Sequence, residues 1–199
     1  MPAVDFWYEF ASTYSYPAAM RVDTLVAERA VEVHWRPFLL GPIFAARGMA
    51  DSPFNLDPAK GRYMWRDLER ICARLDLPLR RPQLFPQNSL LAARAALALD
   101  AARRPEFSRA VYRAEFGAGK PIAERATNAA ILEAMGLNAG DVLDRAASAP
   151  VKDALREETA LAQRLGVFGA PNVITADGEI FWGNDRLEEG LDWAARLAR

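Results

Sequence analysis

Apolar and polar positions change rhythm three times along this chain. Residues 3–10 are apolar or aromatic except for Asp5 and Glu9, which predicts a buried strand. From about Tyr14 to Ala30 the spacing becomes helical, with Met20, Leu25 and Val26 on one inner side. Pro17 is tolerable only in the first turn of such a helix, so it fixes the start to within a few residues. Val31-Glu32-Val33-His34-Trp35-Arg36 then alternates, as a strand with one buried face does, and places His34 on the polar face with Glu32 and Arg36. Strand, helix and strand make a βαβ unit with a parallel pair.

After Pro37 the pattern loosens. Phe38 to Pro58 reads as a loop-rich passage broken by Gly41, Pro42, Gly48, Pro53 and Pro58. From Lys60 to about Ala149 every periodic stretch is helical. Met64, Leu68, Ile71, Cys72 and Leu75 form one apolar stripe. A helix over Leu90 to Ala102 follows Phe85-Pro86-Gln87-Asn88. Further helices run to Gly117, to Gly136, from Asn138 and Asp141, and from Pro150 to Gly166.

Strand character then returns. Asn172-Val173-Ile174-Thr175 and Glu179-Ile180-Phe181-Trp182 flank Ala176-Asp177-Gly178, a hairpin signal. A last helix is expected from about Asp185 to Leu197, with Leu187, Leu191 and Ala194 inward. The order βαβ, helices, ββα predicts an α/β, thioredoxin-like sheet with a large all-helical insertion. Residues 1–40 and 167–199 would form the thioredoxin-like domain, and residues 41–166 the inserted helical domain.

Composition narrows the function. The chain has 199 residues and a formal net charge of −1, so bulk electrostatics favours neither nucleic acid nor an anionic membrane. No apolar run approaches the ~20 residues a bilayer span needs. Met1-Pro2-Ala3-Val4-Asp5 lacks the basic start and apolar core of a signal peptide. Cys72 is the one cysteine, so an intramolecular disulfide is impossible. Together these predict a cytoplasmic location. Cys72 lies on an inward stripe and reads as a small core hydrophobe. His34 has no Cys or His companions, so no metal site is expected. No phosphate-binding glycine motif occurs.

The chemistry is expected where the first strand meets the first helix. A helix N-terminus has unpaired N–H groups and partial positive charge, so it favours an anion beside Ser12. The bland alternative is that Ser12 simply caps the helix. No base adjoins Ser12 in the sequence, which makes it a poor attacking nucleophile.

The stretch Asp5 to Tyr16 combines with Arg36-Pro37-Phe38, Pro58-Ala59-Lys60 with Tyr63-Met64, and Phe85-Pro86 with Asn88. Further along stand Val167-Phe168-Gly169-Ala170-Pro171 and Trp182-Gly183-Asn184-Asp185-Arg186-Leu187. In this order, over nearly the whole chain, they resemble the 2-hydroxychromene-2-carboxylate isomerases. These are relatives of the kappa-class glutathione transferases and of the periplasmic disulfide-generating oxidoreductases. The resemblance implies glutathione as cofactor, a small aromatic or electrophilic substrate, a role in aromatic catabolism and a homodimer.

It also implies roles. Ser12 and Ser15 occupy the S-x-x-S counterpart of a redox C-x-x-C, which removes dithiol chemistry. The Ser12 hydroxyl would instead hold the glutathione thiolate, an interaction of about 1.5–3 kcal/mol. Ala170, before a proline that is cis in this fold, would pair with the cysteinyl backbone, in the manner of a short added strand. The corner from Trp182 and Gly183 through Asn184, Asp185 and Arg186 would hold the γ-glutamyl end, with Asp185 meeting its ammonium; blandly, Asp185 caps the last helix. Pro171 would complete the glutathione site. Lys60, one of three lysines, stands at a helix start where a cation does not help the dipole, which suits an anionic ligand. Asn88 either caps the next helix or lines the substrate pocket. Phe6, Trp7, Tyr8, Phe38, Trp65 and Phe168 read as core. Thr13 replaces the family's usual proline. The family's substrate-contacting lysine and asparagine have no clear counterparts in residues 41–55, though Asn55 could substitute for the asparagine. A kappa-like transferase and a non-catalytic thioredoxin-like binding protein are the competing readings.

Overall fold

The computed structural model describes residues 1–197. Among these, β1 (Ala3–Tyr8) is the pivot of a four-stranded sheet. It pairs in parallel with β2 (Glu32–Pro37) and antiparallel with β3 (Asn172–Thr175), which pairs antiparallel with β4 (Ile180–Trp182). The order is β2-β1-β3-β4. Helix α1 (Ser15–Arg29) makes the crossover between β1 and β2. The thioredoxin-like sheet expected from the pattern is therefore present, with α10 (Leu187–Leu197) closing its C-terminal unit.

Strand alternation divides the core. Val4, Phe6 and Tyr8 face a large cluster that includes Trp35, Tyr112 and the helical segments. Trp7 points the other way, into a smaller cluster with Phe38, Ile43, Val167 and Ile174. The aromatic residues of the first strand are core, as expected: Phe6, Trp7 and Tyr8 have no exposed surface.

The first strand ends at Tyr8 rather than residue 10. On the β2 side the last bond is from the Phe38 amide to Tyr8 O at 3.2 Å, and on the other side Pro171, just before β3, has no N–H to extend the ladder. Glu9 and Phe10 are still buried, but in a turn.

The helical segment contains α2 (Leu40–Ala46), α3 (Pro53–Leu56), α4 (Pro58–Arg74), α5 (Leu90–Ala98), α6 (Arg104–Tyr112), α7 (Arg125–Ala134), α8 (Ala139–Ala146) and α9 (Ala149–Arg164). Two of these correct the loop-rich reading of residues 38–58. Pro42, Pro53 and Pro58 all lie in first turns, where no intrahelical N–H is needed, so they begin helices instead of ending them. Ser52 and Asp57 supply the capping oxygens for α3 and α4. After α6 the chain widens into a π-helical turn, Arg113–Gly117, which carries a fully buried Glu115.

Candidate active site

Ser12 sits in the turn between β1 and α1. Its amide donates to Glu9 O at 3.0 Å. Its Oγ accepts from the Ser15 amide, the first of α1, at 3.3 Å. That is a capping contact, so the bland role of Ser12 is filled. Its hydroxyl proton goes elsewhere, to Ala170 O at 2.9 Å. The Ala170–Pro171 bond is cis. The hydroxyl and the loop before β3 thus meet across 158 residues of sequence. Ser15 is fully buried and lies outside the cavity that Ser12 lines.

That cavity holds about 830 Å³ and is lined largely by apolar side chains, among them Leu39, Phe44, Met49, Phe54, Phe85 and Leu90. The volume suits a small organic ligand. Lys60, Asn88 and Trp182 also line it, as does Arg47. Asn88 fulfils both of its expected readings: Oδ1 accepts from the Leu90 amide at 3.0 Å, and the residue faces the cavity. Phe168, expected in the core, is 40% exposed and packs against Trp182 with ring centroids 4.8 Å apart. The Arg47 guanidinium stands 5.8 Å from the Phe168 centroid. Gly169 makes this packing possible, since an added Cβ would lie 2.5 Å from Trp182 Nε1.

The remaining positions lie outside the cavity lining. Gly183 N donates to Pro171 O at 2.9 Å, which ties the corner to the loop before β3. Gly183 has φ +110°, and an added Cβ would fall 2.4 Å from Asp185 Oδ1. Asn184 is buried, with Oδ1 and O accepting from Arg21 at 3.2 and 2.6 Å. Asp185 and Arg186 are largely exposed on the short 3₁₀ turn before α10. Asn55 turns from the cavity, donating to Asp51 Oδ2 at 3.0 Å and Phe85 O at 3.1 Å.

One cavity residue escaped the sequence reading. Glu9 is 5% exposed and shares the cavity wall with Ser12. The Ser89 hydroxyl donates to its Oε1, and the Ala11 amide also faces the carboxyl. Burial outweighs these hydrogen bonds and pushes the Glu9 carboxyl up to about 7. Burial likewise raises Glu115 far above the usual carboxylate range, aided by the nearby Glu9 charge. Neither Glu115 oxygen has a hydrogen-bond partner among the described residues. The available signal was an acid interrupting an apolar run. Cys72 is buried in the core, as expected, and its thiol is pushed up to about 11 by burial.

The family described as "DSBA-like thioredoxin domain" matches residues 3–192. The chain belongs to this family, within the group that holds 2-hydroxychromene-2-carboxylate isomerases and kappa-class glutathione transferases. It is 30% identical over 186 residues to the 2-hydroxychromene-2-carboxylate isomerase of Sphingobium xenophagum, covering 93% of this chain and 94% of that protein. Identity to glutathione S-transferase kappa 1 of Homo sapiens is 29% over 200 residues, 93% of this chain and 87% of that one. A solved 2-hydroxychromene-2-carboxylate isomerase superposes with a TM-score of 0.88 at 25% identity, covering 99% of this chain and 96% of that chain. The cytosolic disulfide reductase DsbM from Pseudomonas aeruginosa, solved with GSH, shares the fold at a TM-score of 0.68 and 17% identity, over 98% of this chain and 97% of that chain.

Proposed function

We propose that this protein is a glutathione-dependent isomerase of the 2-hydroxychromene-2-carboxylate type, in which Ser12 stabilises the glutathione thiolate. The observation that carries the reading is the Ser12 hydroxyl beside the Ala170 carbonyl, 2.9 Å apart, at the wall of a largely apolar cavity. These residues fit a tripeptide thiol: a hydroxyl donor for sulfur, a backbone edge for the cysteinyl unit, and Lys60 for a carboxylate. Glutathione, when bound, supplies the sulfur nucleophile that adds to an unsaturated ring and is regenerated.

Ser12 performs one rotation. Its Oγ–H leaves Ala170 O and turns to sulfur, while Oγ keeps the Ser15 amide. The same movement frees Ala170 O for the backbone of the tripeptide. A hydrogen bond to a charged acceptor contributes about 1.5–3 kcal/mol, enough to ionise a substantial share of the thiol near neutral pH. Asp185 would meet the γ-glutamyl ammonium, with Trp182, Gly183, Asn184 and Arg186 shaping that corner around Pro171. The apolar wall would exclude water from the ring substrate, with Asn88 at its edge. In this reading residues 1–40 and 167–199 bind glutathione with the help of Lys60, and the rest of the insertion, residues 41–166, shapes the substrate site; residues 198 and 199 lie outside the described residues. The protein would act in the cytoplasm as a homodimer.

A kappa-like transferase is the second reading. It is favoured by the kappa-class likeness over the same span and by Asn55, which turns away from the cavity. Net loss of glutathione during turnover identifies the transferase; constant glutathione identifies the isomerase. Calorimetric titration tests the shared premise, and absence of glutathione binding sinks both. Ser12→Ala should keep the fold and abolish the ultraviolet absorbance of the bound thiolate. Turnover should fall about 10- to 100-fold, the loss expected for 1.5–3 kcal/mol. Unchanged turnover would exclude the role of Ser12.

A further inference from the structure

Glu9 is the one acid among the described residues that is both buried and part of the cavity wall. The turn that aims Ser12 also aims Glu9, because the Ser12 amide closes onto Glu9 O at 3.0 Å. Ser89, at the start of α5, fixes one carboxyl oxygen. Tyr112, from α6, fixes the Glu9 backbone, donating to its O at 2.9 Å. Among the described residues no cation offsets the Glu9 charge: the groups that act on its carboxyl are Ser89 and the Ala11 amide, and Glu115 and Tyr112 sit within its field. Arg47, Asp51 and Lys60 share the cavity. Burial keeps such a carboxyl protonated up to about neutral pH, so at the cavity wall it can donate as well as accept.

We infer that Glu9 is a catalytic acid and base of this cavity, lending a proton to the ligand oxygen that gains charge when a nucleophile adds, and taking it back when the nucleophile leaves. The inference rests on the isomerase reading above, and the acid acts on the ring-opened substrate, a conjugated ketone formed when the C2–O ring bond of the hydroxychromene breaks, the C2 hydroxyl becomes C=O and its proton passes to the phenolic oxygen. As a C–S bond forms at the far end of C=C–C=O, the alkene pair shifts one bond along and the carbonyl pair moves to oxygen. The Glu9 O–H bond breaks and its proton goes to that oxygen. The former double bond, now single, can rotate. In the return, the O–H bond breaks, the proton rejoins the Glu9 carboxylate, C=O and C=C form again, and the C–S electron pair leaves with sulfur. No oxidant is consumed and every proton is returned. Burial that places the carboxyl near 7 matches a group that must both give and recover a proton near neutrality.

The test uses the full chain with glutathione and a 2-hydroxychromene-2-carboxylate, comparing wild type with Glu9→Gln and Glu9→Asp. Glu9→Gln should lower kcat about 100-fold or more, as loss of a general acid does. Glutathione affinity and thiolate absorbance should stay within threefold of wild type. Glu9→Asp should recover part of the rate. In the ligand-free protein, one component of the infrared C=O band of protonated carboxyls should fade as pH rises through about 7, and that component should be missing from Glu9→Gln while the Glu115 component remains. Wild-type turnover in Glu9→Gln, or a band that titrates with ordinary surface carboxylates, overturns the inference and leaves the isomerase reading standing. Failure of the wild type to bind glutathione overturns both. If Glu9→Gln does not fold, the wild-type band and the Glu9→Asp rate decide alone.

Discussion

Ser12 and Phe44 line the same cavity, yet the chain holds them in different ways. Ser12 stands at the end of the central strand, fixed by the Ser15 amide, the Ala170 carbonyl and its own amide bond to Glu9. Beneath it lie fully buried aromatics from β1. Phe44 belongs to α2, which buries only Ile43, and the following α3 buries no residue at all. The sheet side is determined by many groups at once; the α2–α3 side is tethered by few. Sites that must place a reacting atom benefit from the first kind of support, while sites that must admit varied shapes tolerate the second.

The contrast is sharpest in local stability. Amides of β1 should exchange with solvent at least about 10³-fold more slowly than those of α2 and α3, since protection follows burial and local contacts. Equal protection in the two regions would remove the distinction. The next effect is pH-dependent. Glu9 lies near 7 in the folded chain, against about 4.5 when unfolded. Below 4.5 both states hold the proton and the stabilisation is complete. Between 4.5 and about 7 only the folded state holds it, so stability falls with rising pH, by about 3 kcal/mol from this group alone. Glu115, raised further, extends the fall to higher pH. Denaturant titrations at pH 5 and 8 should show the drop, and Glu115→Gln should reduce it; a flat profile would contradict the protonated pair. The smallest effect concerns the weakly tethered side. Phe44→Ala should raise KM for the ring substrate about tenfold, a loss of roughly 1.4 kcal/mol, with glutathione affinity unchanged. A matching loss of glutathione affinity would mean that the two sides act as one.

Much of this is legible in the amino-acid order because local rules and the fold agree. The alternation in residues 31–36 gives β2, and Gly178 at φ +88° turns the β3–β4 hairpin as its position suggests. Gly136 and Gly166 close α7 and α9 in the left-handed region. Prolines mislead between residues 38 and 58, because the same residue that breaks a helix interior is harmless in a first turn. The fate of Asn55 and Asn184 is invisible in the sequence, since it depends on Phe85 and Arg21, which folding brings from elsewhere. The exposure of Phe168 likewise depends on Trp182 and Gly169. Glu9 is half legible: an acid in an apolar run signals a buried polar group, but its neighbour Ser89 lies 80 residues away.

The bond from the Ser12 hydroxyl to Ala170 has a consequence during synthesis. Ser12 leaves the ribosome 158 residues ahead of Ala170. A nascent chain can fold its helices while its serine still faces an empty seam, and only the arrival of β3 beside β1 completes the pair. Chains stalled before β3 therefore carry the Ser12 hydroxyl without its counterpart, and the closed Ser12–Ala170 pair certifies that translation has passed β3.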